Sequence, residues 1–176
     1  MRETVTGVLE PPVTEAPAPE ADAEEKIRPP CTLVIFGASG DLTRRLLAPA
    51  IAHLSRDGAI SPDFAIIGLA RTPYEDQEFR KYLEEGAREF TLAAQGRAGD
   101  LPATIQYIAG DFGDAALYEK LKSALETIEE KRGANRNRIF YLATPPEADP
   151  TIVESLGDSG LARPEKGWAR VVVEKP

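Results

Sequence analysis

The sequence predicts an α/β domain built on a doubly wound parallel sheet. Two observations carry that expectation: short apolar, β-branched runs alternate with amphipathic stretches of helical period, and the first such run ends on a glycine turn. A strand covered on both faces reads as a continuous apolar run, which is the mark of parallel sheets flanked by helices. Right-handed crossovers then leave the strand order 3-2-1-4-5, a Rossmann-like arrangement.

Thr32-Leu33-Val34-Ile35-Phe36 gives the first strand. Leu42, Leu46, Leu47, Ala50, Ile51 and Leu54 recur at helical spacing and predict one helix with a single apolar stripe. Pro49 lacks a backbone donor and predicts a kink there, and Asp57-Gly58 closes the helix. Ala65 to Ala70 is the second strand and leads into Arg71-Thr72-Pro73, while Phe79, Tyr82, Leu83 and Phe90 mark the second helix. A loop over residues 95–102 precedes the third strand at residues 105–108, and Asp114 caps a helix carrying Leu117, Leu121, Leu125 and Ile128. Arg138 to Ala143 forms strand four, stopped by Pro145-Pro146. Thr151 to Leu156 gives a short helix, and Ala169 to Val173 gives strand five.

Residues 1–30 differ in texture, with six prolines, four alanines and seven acids against Arg2, Lys26 and Arg28. Too little apolar surface is available there to offset the entropy of ordering, so a disordered acidic tail is expected ahead of a domain at 31–176. The formal net charge of −8 argues against nucleic acid or an anionic membrane as the main partner. One cysteine, Cys31, excludes an internal disulfide and fits a reducing compartment. No apolar run is long enough to span a bilayer, and no basic-then-apolar leader opens the chain, so cytoplasm is the expected location.

Ligands of such sheets bind beyond the carboxyl ends of the strands, where the winding reverses. The turn Gly37-Ala38-Ser39-Gly40-Asp41-Leu42, followed by Thr43 and Arg44, stands at that point. It brings backbone N–H groups and a helix N-terminus together, as a pyrophosphate requires. Gly37 permits the tight turn, Gly40 removes a Cβ from the anion's path, and Ser39 offers a hydroxyl. The nucleoside-triphosphate pattern G-x-x-x-x-G-K-[ST] is absent. Where NAD-specific domains place an acid after the second strand, this chain has Arg71. A guanidinium there pairs with a 2′-phosphate, so NADP is the expected coenzyme, and Arg44 and Arg45 lie near enough in sequence to add to the basic site.

Four blocks together resemble the glucose-6-phosphate dehydrogenase family: residues 34–42, Gly68-Leu69-Ala70-Arg71, the Phe140 to Ala143 strand end before Pro145-Pro146, and Val172-Val173-Glu174-Lys175-Pro176. The resemblance implies NADP-dependent oxidation of glucose 6-phosphate at C1, the first step of the pentose phosphate pathway. It implies that the 37–44 loop holds pyrophosphate, that Arg71 holds the 2′-phosphate, that Lys175 contacts coenzyme and substrate, and that Pro176 follows a cis bond. Asp149 stands where the family commonly has an aromatic residue near the coenzyme. The family's catalytic histidine, most sugar-phosphate contacts and the subunit interface lie beyond the lysine–proline step. The resemblance therefore makes residues 31–176 the coenzyme-binding part, with no catalytic residue and no activity of its own.

The residues themselves agree. Abstracting the C1 hydroxyl proton calls for a positioned base. The only histidine, His53, falls at the edge of the first helix's stripe, where packing is expected. One His and one Cys cannot make a His/Cys metal cluster. Two other readings stay open: a non-catalytic NADP-binding module, and a short-chain reductase using the Tyr118-x-x-x-Lys122 spacing.

Overall fold

The computed structural model describes residues 29–91, 100–132 and 136–174. Residues 1–28 of the tail expected over 1–30 and residues 95–99 of the loop expected over 95–102 therefore lie outside the described residues, as do Lys175 and Pro176.

Five strands, β1 (Thr32–Phe36), β2 (Ala65–Ala70), β3 (Thr104–Ala109), β4 (Arg138–Leu142) and β5 (Ala169–Val173), form one sheet of order β3-β2-β1-β4-β5. Every pairing is parallel, with Val34 opposite Ile67 on one side and Phe140 on the other. The predicted topology is the observed one. Alternate side chains of the central strands feed two cores. Val34, Phe36, Ile67, Leu69 and Phe140 pack against α3 (Ala115–Lys131) and α4 (Asp149–Asp158). Leu33, Ile35, Ile66 and Tyr107 pack against α1 (Ala48–Arg56) and α2 (Asp76–Phe90). On the second face Gly68 is required: a Cβ there would lie 2.5 Å from the Phe79 ring and 2.9 Å from the Ala38 Cβ.

The first helix departs from expectation in an informative way. Residues Thr43–Leu47 form a π-helical turn in which Ala48 N–H bonds the Thr43 carbonyl, and Pro49 occupies the first turn of α1. The helical backbone continues through both segments, with αR angles at Leu42, Leu47 and Ala48, so the π turn is an insertion within one helix just ahead of Pro49, which has no N–H to donate. The extra residue of the π turn also rotates the helix face. Thr43, Ala48, Ile51 and Ala52 are buried, whereas Leu46 and Leu54, predicted inside, are 62% and 46% exposed. The C-terminus is a Schellman cap: Gly58 has φ +59°, and Gly58 N and Ala59 N donate to Ser55 O and Leu54 O at 3.0 and 2.7 Å. The last helix begins at Asp149 rather than Thr151, because Pro150 also fits a first turn.

A buried ion pair fastens the end of the sheet away from the strand C-termini. Arg138, first in β4, grips Glu129 of α3 through Nε–Oε1 at 2.7 Å and Nη2–Oε2 at 2.9 Å, and donates from Nη1 to the Leu161 carbonyl at 3.1 Å. Both side chains are about 95% buried, at 4% and 5% exposure. Removing one partner strands the other charge without water. Glu129→Gln is expected to lower the unfolding free energy by roughly 3 kcal/mol in urea denaturation. A change below about 1 kcal/mol, the range of exposed pairs, would contradict that role.

Candidate coenzyme-binding site

The site begins where β1 ends. Gly37 N and Ala38 N both donate to the Leu69 carbonyl of β2, at 2.8 and 3.0 Å, while Ala143 N, just past β4, donates to Phe36 O at 2.9 Å. Gly37 turns between its two neighbours with φ +80°. A Cβ there would stand 2.4 Å from the Ala143 carbonyl oxygen, so any side chain is excluded by backbone on one side and by conformation on the other. Gly40 N then closes the turn on Gly37 O at 2.9 Å.

The first helical rung is Arg44 N to Gly40 O, long at 3.4 Å. The amides of Asp41, Leu42 and Thr43 precede it, as the opening amides of any helix do, and Ser39 N has no bond among the described residues. Unmet donors and a positive helix end at one point form an anion site.

Beneath the turn lies an aromatic layer that composition and spacing did not reveal. The Tyr82 hydroxyl lies 3.0 Å from Ser39 O and 2.9 Å from Gly40 O, and Tyr107 donates to Thr72 O at 2.7 Å. Ser39 Oγ meets Thr72 Oγ1 at 3.0 Å, so the hydroxyl expected to donate to the ligand is engaged with the chain after β2. Rings of Tyr74, Phe79, Tyr82 and Tyr107 pack with centroids 4.9–6.5 Å apart. The available signal was tyrosine at apolar positions where phenylalanine would satisfy the period, since a half-buried hydroxyl needs a partner.

The basic residues divide. Arg71, at the end of β2, is exposed and makes no ion pair or hydrogen bond among the described residues. It lines a cavity of about 550 Å³ with Asp111, Phe112 and Gly113 after β3, and Pro145, Glu147 and Thr151 after β4. That volume lies within the usual range for small-molecule sites. Arg44 and Arg45 are committed elsewhere. Arg44 bonds Glu89 at 2.8 Å and lies over the Tyr82 ring, and Arg45 bonds Asp41 at 3.3 Å and lies over Phe90. Neither lines the Arg71 cavity. Thr43 is fully buried with its Oγ1 unpartnered, which leaves only its amide for a ligand.

Residues 34–176 match the family model described as glucose-6-phosphate dehydrogenase, NAD binding domain. The chain belongs to that family. It is 37% identical over 155 residues to a glucose-6-phosphate 1-dehydrogenase of Chlamydia muridarum, covering 84% of this chain and 31% of the relative. It is likewise 37% identical over 154 residues to glucose-6-phosphate 1-dehydrogenase 2 of Mycobacterium tuberculosis, covering 86% of this chain and 30% of that protein. A solved glucose-6-phosphate dehydrogenase in complex with its substrate superposes with a TM-score of 0.73 at 30% identity, over 85% of this chain and 31% of the other. The Mycobacterium avium enzyme gives 0.67 at 28% identity, over 84% of this chain and 30% of the other. The chain thus spans just under a third of the length of the relatives it matches.

Other candidates in this glucose-6-phosphate dehydrogenase domain are placed by the same geometry. Tyr118 is 2% exposed, inside the α3 core, and its hydroxyl donates to Phe112 O at 2.8 Å. Burial raises its pKa, so it is held as a structural phenol, and the Tyr118–Lys122 spacing does not form a reductase pair. His53 is half-buried on α1 with Nε2 enclosed and unpartnered, and it does not line the Arg71 cavity. Asp149 accepts from Thr144 Oγ1 at 2.9 Å and so ties the end of β4 to the start of α4. Among the described residues no group of His, Cys, Asp and Glu is placed to hold a metal ion, and no helix is long and apolar enough to cross a membrane.

Tyr82→Phe removes the hydroxyl under the turn. It is expected to cost about 1 kcal/mol of stability in urea denaturation and to weaken coenzyme binding several-fold. Unchanged binding would show that the turn holds its shape without that hydroxyl. Burial raises the pKa of Tyr82 and Tyr107 above the ordinary 10.0. The neutral phenol is the favoured folded form, so the stability it lends is complete below that value and is lost as pH rises through the raised ones. Alkaline titration followed by tyrosinate absorbance should therefore show unfolding coupled to late-ionising tyrosines. Ionisation at the ordinary value without unfolding would contradict the bracing.

Proposed function

We propose that this chain is the NADP-binding part of a glucose-6-phosphate 1-dehydrogenase, which oxidises glucose 6-phosphate at C1 to 6-phosphogluconolactone in the cytoplasm. The domain runs over 31–176, with 1–30 as a separate acidic tail. The observation that carries the coenzyme assignment is the pairing of unmet amides at Ser39, Asp41, Leu42 and Thr43 after β1 with an uncommitted Arg71 after the neighbouring β2. The residues fit the group: Gly37 and Gly40 keep side chains out of the cradle, and no acid takes the place of Arg71 at the end of β2.

In this reading the turn Gly37, Ala38, Ser39, Gly40, Asp41, Leu42 and Thr43 forms the pyrophosphate cradle: the amides of Ser39, Asp41, Leu42 and Thr43 donate to it, while Gly37, Ala38 and Gly40, whose amides are bonded within the fold, shape the turn. Arg71 takes the 2′-phosphate, and Lys175 contacts both coenzyme and sugar phosphate. Arg44 serves the loop through its amide and through Glu89, rather than by direct charge. The chemistry the coenzyme supplies is hydride acceptance. The described residues supply binding and orientation. Apart from Lys175, the family resemblance puts the sugar-phosphate contacts, the base and the subunit interface in the part of the relatives' length that this chain does not span.

Arg71→Asp tests the coenzyme choice. Losing the charge-assisted contact and adding repulsion should weaken NADP by about 2–3 kcal/mol in titration calorimetry, with NAD little changed. Equal loss of both coenzymes would remove Arg71 from the 2′-phosphate.

A further inference from the structure

The cavity that holds Arg71 has a charge balance at odds with a simple dianion site. Its charged lining residues are Arg71, Asp111 and Glu147, one cation against two carboxylates. A pocket built only to favour a phosphate would carry excess positive charge.

The two acids are not equivalent. Asp111 is spent on its own loop: its Oδ1 accepts from Gly113 N at 2.9 Å and its carbonyl from Asp114 N at 3.1 Å, as aspartate commonly does in turns. Glu147 has no such duty. It is exposed, lies in the 3-10 turn Pro146–Ala148 between β4 and α4, and makes no hydrogen bond or ion pair among the described residues. Arg71 is equally uncommitted. One free guanidinium and one free carboxylate therefore share a single cavity from two different strand ends.

We propose that Glu147 is a coenzyme-selectivity residue whose carboxylate opposes the 2′-phosphate and so limits the preference for NADP that Arg71 creates. The inference rests on the coenzyme reading above. A carboxylate accepts a bond from a ribose 2′-hydroxyl and repels a 2′-phosphate, so the same side chain favours NAD while it disfavours NADP. Both charges are solvent-exposed, which keeps the effect modest and makes it sensitive to salt. The preference for NADP is thus smaller than Arg71 alone would set.

The test is a titration of NADP and of NAD into the full chain, for the parent protein, Glu147→Gln and Arg71→Asp, each at low and high ionic strength. Glu147 is exposed, and removing its charge leaves no buried group unpaired, so the variant folds. Glu147→Gln is expected to tighten NADP about two- to tenfold at low salt, to leave NAD unchanged or weaker, and to lose most of the gain near 1 M salt, where screening is within about 3 Å. Unchanged NADP affinity, an equal gain for both coenzymes, or a gain indifferent to salt overturns the proposal. Arg71→Asp separates the two failures. If it weakens NADP alone while Glu147→Gln does nothing, Glu147 is rejected and the coenzyme reading stands. If it weakens both coenzymes equally, the 2′-phosphate lies elsewhere and the Glu147 assignment falls with it.

Discussion

The Leu69 carbonyl oxygen accepts two consecutive amides, Gly37 N and Ala38 N, and this shared acceptor holds the chain against β2 as it leaves β1. On the other side the Ala143 carbonyl lies so close that a methyl at position 37 would stand 2.4 Å from it. The turn is therefore gripped by both neighbours of β1 at the point where the order β3-β2-β1-β4-β5 changes direction. Helices leave for opposite faces there, so the crevice between them opens above the strand ends. Everything assigned to the site depends on that grip, because it sets where the amides of Ser39 to Thr43 come together.

Charge is sorted by function across the sheet. At the amino end of β4, Arg138 and Glu129 are buried and fully paired, with the remaining guanidinium donor satisfied by Leu161 O. Pairing of that kind holds elements in register and has nothing left to offer a ligand. At the carboxyl ends, Arg71 and Glu147 stay exposed and unpaired. Against the glycine turn the tyrosine layer converts packing into orientation: ring contacts fill the space between α2 and the sheet, and the hydroxyls fix the backbone of the turn and of Thr72. Rigid support and uncommitted charge are the conditions under which a ligand can be held without reorganising the fold.

Much of this was readable from local pattern. The strands showed themselves because burial on both faces forces an unbroken apolar run, as in Thr32–Phe36 and Ala65–Ala70, and Gly37 because no other residue fits its turn. Asp114 revealed the start of α3 through its capping chemistry, and it does accept from Ala116 N at 2.9 Å. What stayed hidden was non-local or a matter of phase. Leu46 and Leu54 keep helical period on paper, yet the π turn ahead of Pro49 rotates them outward. The partners of Arg44 and Arg45 lie on other turns or on α2, so adjacency to the loop said nothing about where those charges go. Glu147 reads as an ordinary acid after two prolines, and only the convergence of β2, β3 and β4 brings it into one cavity with Arg71.

Residue-resolved NMR of the backbone amides during addition of NADP distinguishes a filled glycine turn from an empty one. The largest shifts are expected at Ser39, Asp41, Leu42 and Thr43, with Arg71 responding to NADP more than to NAD. Saturable binding that leaves those amides unmoved, with shifts confined to another face of the sheet, would contradict binding at the turn.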